Sequence, residues 1–465
     1  MTTQVFVASS AFGLITLSAA LAAGSWGPAD RRVLVVTSNA IVPETAPPLT
    51  ATPGLSALLA AFDLVADYNE AIAPQHPSVW RPRAADLPIV ERYLRQRWGL
   101  GEDELTLVVE SIQVAPALAL CQVFPDARID VYADGLMSYG PTRNPLPPTV
   151  GTRVERLLHL DLVPGLRPVL LREFGVPATV ISTQAFRDSV RRVGAGADAP
   201  PALPQGGRVA VVLGQYLADL GVLSQDEELQ LQTAMVEQCL EQGFDRVVFK
   251  PHPSAPRRQT GPLIEAAARR GARLVVRDEP SVVETWFGRE PVHLVVGCFS
   301  TGLLTAAMFD VPAARLGTEL LLERLRPYEN SNRIPVTLVH ACVPAMTEAG
   351  PLTRRPEIGL PELVETVSYC MQPRQYPELR TVAARVLTTS WDEARPYVKR
   401  RRLTSLALPG ALPEKSAARR TWARYAKRLA SATLGPTTTQ RIGHLSSRRT
   451  RTRRNGSDHR SMGQT

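Results

Sequence analysis

The chain contains two series of apolar segments that alternate with helix-like segments, separated by one stretch rich in Gly, Ala and Pro. The apolar runs, such as residues 128–132 and 246–249, do not alternate regularly with polar residues, as is typical of parallel strands covered on both faces. The separating stretch, VGAGADAPPALPQGG, occupies residues 193–207 and has the composition of a linker. The pattern predicts an α/β protein built from two parallel sheets with a cleft between them.

The elements predicted in each series follow the apolar runs. In the first series the strands are 4–8, 32–37, 105–110 and 128–132, the helices are 12–23 and 115–124, and a mixed helical region covers 55–71 and 87–98. In the second series the strands are 208–213, 246–249, 272–276, 293–296 and 312–316, and the helices are 226–242, 262–270 and 303–309.

The first 37 residues are open to two interpretations. The run AFGLITLSAALAA at 11–23 resembles the core of a signal peptide, with Ala20-Leu21-Ala22 as a cleavage-like site. However, no Lys or Arg precedes Arg31, and the 13-residue run is shorter than the roughly 20 residues that span a bilayer. We therefore favour a βαβ unit.

Length and charge divide the chain further. With 465 residues the chain exceeds the usual size of a single core. We predict a Rossmann-like domain at 1–192, a linker at 193–207, a second Rossmann-like domain at 208–398 and a basic tail at 399–465. The tail carries 17 Lys and Arg against two acidic residues, a charge of +15, which leaves −6 of the total +9 for residues 1–398.

The five cysteines form no CxxC pair and have no metal-type spacing with histidine. Such scattered cysteines favour reduced thiols in a cytoplasmic protein and argue against a structural zinc site.

A short acidic motif, Ala133-Asp134-Gly135, ends a predicted strand of the first series. The glycine permits a turn, and the aspartate would then lie at the carboxyl end of the strand, where parallel sheets bind ligands. Asp-Gly is also a common turn sequence, so the motif alone leaves both interpretations open.

A second motif, Lys250-Pro251-His252-Pro253, ends a strand of the second series. Each proline restricts the preceding residue to extended backbone, so the imidazole is presented with little backbone freedom beside a cation. Histidine donates a hydrogen bond or a proton near neutral pH, which suits a phosphate or a leaving-group oxygen. A structural His-Pro turn is the alternative.

The third motif, GCFSTG at 297–302, lies between a predicted strand and a predicted helix. Ser300 and Thr301 are ordinary N-cap residues, but the same position offers hydroxyl and backbone N–H groups to an anion. The motif is neither a P-loop nor a GxGxxG fingerprint.

In their order and their positions at strand ends, the three motifs resemble those of bacterial sialyltransferases, which carry an acidic-acidic-Gly, an HP and a Ser-Ser or Ser-Thr motif. The resemblance is greatest to the bacterial α-2,8-polysialyltransferase family, and QVFVASSAFGLITLSAAL, VVESIQ and HLDLVPGLRPVLL contribute to it. It extends from about Gln4 to about Gly317. Ala133 replaces the first acid of the motif, whereas Asp134 keeps the second.

This resemblance implies a GT-B fold and inverting transfer of sialic acid from CMP-sialic acid to a glycan hydroxyl in cell-surface polysaccharide synthesis. The first domain would bind the acceptor and the second the CMP-sugar, without a metal or other cofactor. Asp134 would be the base, and His252 would protonate or hydrogen-bond the departing CMP phosphate, which Ser300 and Thr301 would hold. The other expected substrate-binding residues are Lys250, Pro253, Gly135 and Gly302.

The basic tail contains a segment with two distinct helical faces at 417–434. Trp422, Tyr425, Ala426 and Leu429 share one face, and Arg420, Arg424, Lys427 and Arg428 share the other. This pattern predicts an interfacial helix on an anionic membrane, so we expect a cytoplasmic protein attached peripherally to the inner face of the cell membrane. A solvated tail and a nucleic-acid contact through 448–454 are alternatives; the acidic body disfavours the second.

Two other functions stay open at this stage. The same two-domain fold could use another donor, such as CMP-Kdo or a UDP-sugar. Alternatively, the protein could bind glycans without catalysis, an interpretation that rests on Ala133 in the acidic motif.

Overall fold

The computed structural model describes residues 1–43, 47–133, 135–196, 198–199, 201–203, 206–252, 260–270, 274–347 and 358–413. Residues Met1–Gly410 form one compact unit and Ala411–Thr465 a second. Every element described below belongs to the first unit.

The first lobe of this unit is built on a seven-stranded parallel sheet with the order β3-β2-β1-β4-β5-β6-β7. Its strands are β1 (Thr2–Ala8), β2 (Arg31–Val36), β3 (Leu64–Asp67), β4 (Glu104–Val109), β5 (Arg128–Ala133), β6 (Val154–Leu160) and β7 (Ala178–Ile181).

The second lobe is built on a five-stranded parallel sheet with the order β10-β9-β8-β11-β12. Its strands are β8 (Val209–Leu213), β9 (Arg246–Lys250), β10 (Leu274–Val276), β11 (Leu294–Gly297) and β12 (Ala313–Arg315). The predicted α/β class, with two Rossmann-like domains that face a cleft, is confirmed.

Helices connect the strands and cover both sheets. Those up to the second lobe are α1 (Ala11–Ala22), α2 (Ser56–Leu59), α3 (Tyr68–Ile72), α4 (Leu87–Arg97), α5 (Ala117–Val123), α6 (Pro148–Gly151) and α7 (Thr183–Ala195). Those of the second lobe and the C-terminal region are α8 (Gln225–Glu241), α9 (Thr260–Arg269), α10 (Glu284–Phe287), α11 (Gly302–Thr305), α12 (Thr318–Arg324), α13 (Arg333–Cys342), α14 (Leu360–Met371), α15 (Arg380–Thr389), α16 (Trp391–Ala394) and α17 (Arg400–Leu406).

Strand β1 shows why the apolar runs lack alternation. Val5 and Val7 belong to the core cluster that includes Trp98, whereas Phe6 packs on the opposite face, 5.1 Å from the Trp26 ring. Since both faces are covered, the positions from Val5 to Ala8 are all apolar.

The opening βαβ unit is confirmed. Helix α1 begins after Ser10, whose hydroxyl accepts a hydrogen bond from the Gly13 N–H at 3.0 Å, and most of its residues are buried. The run that resembles a signal-peptide core is therefore a packed helix between two central strands. Among the described residues, no helix combines the length and the apolar character that crossing a membrane requires.

The segment 55–71, predicted as part of a mixed helical region, also contains a strand that was not predicted. Strand β3 interrupts this segment between the short helices α2 and α3. It lies at the sheet edge and has only four residues, none of them fully buried. A run this short carries no periodicity that separates strand from helix.

The C-terminal region returns to the first lobe after α14. The Tyr376 hydroxyl is completely buried; it accepts a hydrogen bond from the Thr142 N–H at 2.9 Å and donates one to Glu173 Oε2 at 2.5 Å. Arg172 also pairs with Glu365 of α14 at 2.6 Å. These contacts, which we call the clasp, connect the C-terminal helices to the first lobe.

The compact unit continues past residue 399, where the basic tail was predicted to begin, to Gly410. Helix α17 lies in this extension with Leu403 fully buried, and Arg402 donates to the Cys370 carbonyl at 2.7 Å. The predicted interfacial segment at 417–434 lies outside the described residues.

Replacing Tyr376 with Phe should destabilise the protein by about 1–3 kcal/mol, because the Glu173 carboxylate and the Thr142 N–H would lose a buried partner. Urea unfolding of both proteins measures the difference. Tyr93→Phe is the control, since the Tyr93 side chain is exposed, and should change the free energy of unfolding by less than about 0.5 kcal/mol. Equal effects of the two substitutions would contradict this account of the clasp.

Candidate active site

Each sheet has one point at which the order of strand addition reverses, so that the connections on either side of it lead toward opposite edges of the sheet. In the first sheet this point lies between β1 and β4, and in the second between β8 and β11. Ligands of parallel α/β sheets bind outside the carboxyl ends of the strands at such points.

A cleft of about 530 Å³ occupies this position and is lined by both lobes. Phe12, Ser111 and Ala133 contribute from the first lobe, and Tyr216 and His252 from the second. The topology thus directs both sets of strand ends toward the same space.

Six of the eight predicted site residues line this cleft: Gly135, Lys250, His252, Ser300, Thr301 and Gly302. Asp134 and Pro253 lie outside the described residues.

The acidic-Gly and Ser-Thr motifs meet across the cleft. A Cβ atom on Gly135 would lie 3.3 Å from Thr301 Oγ1, so the two lobes approach one another closely here. A second close approach lies nearby, where a Cβ atom on Gly140 would be 2.9 Å from Ile334 Cγ1. At both positions a glycine gives the other lobe the space to pack.

His252 lies just beyond β9, and its imidazole packs against the Tyr216 ring with 4.3 Å between the centroids and an interplanar angle of 41°. Burial lowers its pKa to about 4, because a low-dielectric surrounding disfavours the charged form. The imidazole is therefore neutral at pH 7 and ready to accept a proton or to share one with an arriving anion.

Lys250 lines the cleft, but its ammonium group is directed into the protein. Nζ donates to the Glu279 carbonyl, lies 3.5 Å from Ser281 Oγ and is 5.7 Å from the Trp286 ring centroid. Burial lowers the Lys250 pKa. Its evident role is to hold the loop between β10 and α10, while its positive charge adds to the local potential.

The Ser-Thr motif differs in detail from the predicted anion site. Ser300 Oγ accepts from the Gly302 N–H at 3.2 Å and the Ser300 carbonyl from the Leu303 N–H at 3.1 Å, so these two backbone donors are already used. Helix α11 is also only four residues long. The hydroxyl groups therefore offer the donors: no described residue hydrogen-bonds the Thr301 hydroxyl, and the Ser300 O–H hydrogen is free to point into the cleft.

Glu284 adds a buried acid to the second-lobe wall. Its carboxyl accepts from the Thr305 hydroxyl at 2.7 Å, and burial raises its pKa. A raised pKa favours the uncharged carboxyl, which would repel an anion at the adjacent Ser-Thr motif less than a carboxylate would.

Sequence reasoning missed the loop that follows β8. Gln215 Oε1 accepts a hydrogen bond from the Phe299 N–H at 3.3 Å, and Tyr216 packs on His252. The criterion that selected the other motifs, polar residues directly after a buried strand, also applies to Gly214-Gln215-Tyr216 and would have found them.

Sequence reasoning also missed the role of Glu110, directly after β4. Its buried carboxylate accepts hydrogen bonds from the Ser9 N–H at 2.9 Å and from the Tyr132 hydroxyl at 3.1 Å. It thereby connects the ends of β1, β4 and β5. A Cβ atom on Gly13 would lie 3.0 Å from Glu110 Oε2, so the glycine lets α1 approach this carboxylate.

The depressed pKa of His252 predicts a pH-dependent stability. Its pKa is about 4 in the folded protein and about 6.5 in an unfolded chain, so the unfolded state binds more protons between these values. The free energy of unfolding should therefore fall as the pH decreases from 6.5 to 4.

Two measurements check this prediction. NMR of protein with ¹³C-labelled histidine rings should show one resonance, absent in His252→Gln, that titrates near pH 4. Urea unfolding of His252→Gln should lose less stability than the wild type over the same interval. A His252 midpoint near 6.5 would contradict the buried, neutral imidazole.

Solved structures of similar shape share little sequence with the chain. A UDP-GlcNAc 2-epimerase from Neisseria meningitidis is 11% identical over 83% of this chain and 94% of its own, with a TM-score of 0.45. The GT-B domain of a sialyltransferase from Photobacterium damselae is 11% identical over 75% of this chain and 99% of its own, with a TM-score of 0.39. The UGT2 of Phytolacca americana is 14% identical over 88% of this chain and 99% of its own, with a TM-score of 0.40.

No curated protein matches the chain. A sequence model of the family described as Alpha-2,8-polysialyltransferase (POLYST) matches residues 4–317. This stretch covers most of the chain and contains all three motifs. The chain therefore belongs to the alpha-2,8-polysialyltransferase family and is a sialyltransferase-like glycosyltransferase.

Proposed function

We propose that the protein transfers sialic acid, or a related nonulosonic acid, from a CMP-activated donor to a glycan hydroxyl with inversion, in the synthesis of a capsule or other cell-surface polysaccharide. The observation that carries the proposal is the meeting of Gly135 and Thr301 in the cleft that also contains His252. The chain neighbours of Asp134 and the groups suited to receiving a phosphate leaving group thus border one space.

The second lobe supports the donor half of the reaction. The Ser300 and Thr301 hydroxyls would donate hydrogen bonds to the CMP phosphate, and His252 would donate a hydrogen bond or a proton to its departing oxygen. His252 is neutral in the free protein, so the negative phosphate must raise its pKa before it can act as an acid. Binding of the CMP-sugar would therefore favour the protonated imidazole, which can then donate its proton to the leaving group.

The first lobe supports the acceptor half. We infer from the motif that Asp134 removes the proton from the acceptor hydroxyl as its oxygen attacks the anomeric carbon and the bond to the CMP phosphate breaks. In such a single displacement the base and the leaving group act on opposite sides of the sugar. Ala133 and Gly135, the chain neighbours of Asp134, line the cleft, opposite the strand ends of the second lobe. No step in this scheme requires a metal or other cofactor.

Substituting Asp134 or His252 with Ala should each lower turnover with CMP-sialic acid by at least about 100-fold, since each removes a proton-transfer group. CMP binding, measured by calorimetry, should weaken mainly in His252→Ala. Asp126→Ala, at an exposed position of the first lobe, is the control and should keep full activity.

Near wild-type turnover in both variants would overturn the site assignment. A donor panel separates the remaining possibilities. Faster release of nucleotide from CMP-Kdo or a UDP-sugar would change the donor, and release from no donor would favour a glycan-binding protein without catalysis.

We further propose that the basic tail attaches the enzyme to the inner face of the cell membrane, where the polymer would be assembled. Full-length protein should float with anionic liposomes at low salt and dissociate at high salt, as expected for basic residues near anionic lipid. The truncated control is residues 1–410 rather than 1–398, because α17 belongs to the first unit. Equal flotation of the two proteins would contradict the anchoring role.

A further inference from the structure

We infer that Tyr216 is a positioning residue for His252: its ring fixes the orientation of the imidazole. The inference deepens the proposed function, since it concerns the same site, but its physical test needs no substrate.

The prolines beside His252 do not fix the orientation of its imidazole. Pro251 and Pro253 restrict backbone dihedral angles, whereas the direction of the imidazole depends on the side-chain torsions χ1 and χ2. Contacts of the side chain must therefore select the rotamer. The Tyr216 ring, tilted by 41° with its centroid 4.3 Å away, covers the imidazole at a distance just below the roughly 4.5–7 Å of most aromatic pairs.

Tyr216 can do this only if its own loop is held in place, and the loop is anchored from two sides. On one side the Glu228 carboxylate of α8, only 2% exposed, accepts hydrogen bonds from the Leu217 N–H at 2.8 Å and the Ala218 N–H at 3.0 Å. On the other side Gln215 Oε1 accepts from the Phe299 N–H. Hydrogen bonds from backbone N–H groups to a carboxylate, such as the two made by Glu228, are stronger than those between neutral groups.

The hydrogen bonds to this loop account for the buried Glu228 carboxylate, which apolar packing does not require. Glu228 lies near the start of α8 and outside the cleft lining, yet two of its hydrogen bonds go to the loop that carries Tyr216. Through Gln215 the same loop also contacts the residue before Ser300. The ends of β8, β9 and β11 are thus connected around the space where the phosphate would bind.

Three variants test the inference. Tyr216→Leu removes the aromatic ring and keeps an apolar side chain, Tyr216→Phe keeps the ring, and Glu228→Gln keeps the shape but weakens the anchor. In protein with ¹³C-labelled histidines, the ring current of Tyr216 should displace the His252 resonances. That displacement should disappear in Tyr216→Leu, persist in Tyr216→Phe and shrink in Glu228→Gln.

Kinetics provide the second readout. In Tyr216→Leu, kcat should fall by about tenfold or more with a smaller change in donor KM, because a misplaced catalytic group affects the transition state more than ground-state binding. Tyr216→Phe should restore kcat to within about threefold of the wild type.

The outcomes separate the two proposals. Unchanged His252 resonances in a folded Tyr216→Leu protein would overturn the positioning role, whatever the enzyme transfers. If Tyr216→Leu does not fold, unchanged resonances in Glu228→Gln would overturn it instead. A wild-type protein that shows the ring-current effect but releases nucleotide from no CMP-sugar would contradict the proposed function and leave the positioning role supported.

Discussion

Parallel pairing of the strands is the constraint on which the site depends. When neighbouring strands run in the same direction, their carboxyl ends lie at one edge of the sheet, and residues far apart in sequence are brought together there. Glu110 meets Ser9 across 101 positions in this way, and Gln215 meets Phe299 across 84. Two such edges oriented toward each other create a cleft whose wall includes the segments that directly follow β4, β5, β8, β9 and β11.

This constraint also explains what the sequence could predict. Buried parallel strands have a distinct composition, so β1, β2, β4, β5 and the whole second sheet were identified, and their ends located the motifs. Strands β3, β6 and β7 were not predicted. Edge strand β3 has only four partly exposed residues, which lack that composition. The hydrogen-bond partners within the site could not be predicted, since the inward direction of Lys250 depends on the Glu279 carbonyl and the Trp286 ring, which are distant in sequence.

The charge of the cleft likewise depends on the surroundings of its residues, which the sequence pattern does not reveal. A pattern of Lys, Pro and His suggests a positive site, but burial keeps His252 neutral and lowers the pKa of Lys250. The second-lobe wall is therefore less positive before a ligand binds than its residue types imply. Since a bound anion favours the protonated imidazole, the charge of His252 would develop with the anion instead of preceding it.

The width of the cleft depends on a part of the chain that the family match does not cover. The match ends at residue 317, yet Asn332, Ile334 and Met371 line the cleft, and Ile334 packs on Gly140 of the first lobe. The clasp at Tyr376 then connects the same C-terminal helices to the loop that contains Thr142. The separation of the two lobes thus depends on contacts of the unmatched region as well as on those of the matched region, such as the ion pair between Arg187 and Asp310. Residues that determine how large an acceptor can enter should accordingly be sought also beyond residue 317, on α13 and α14, because a change there can alter the space between the lobes without altering any of the three motifs.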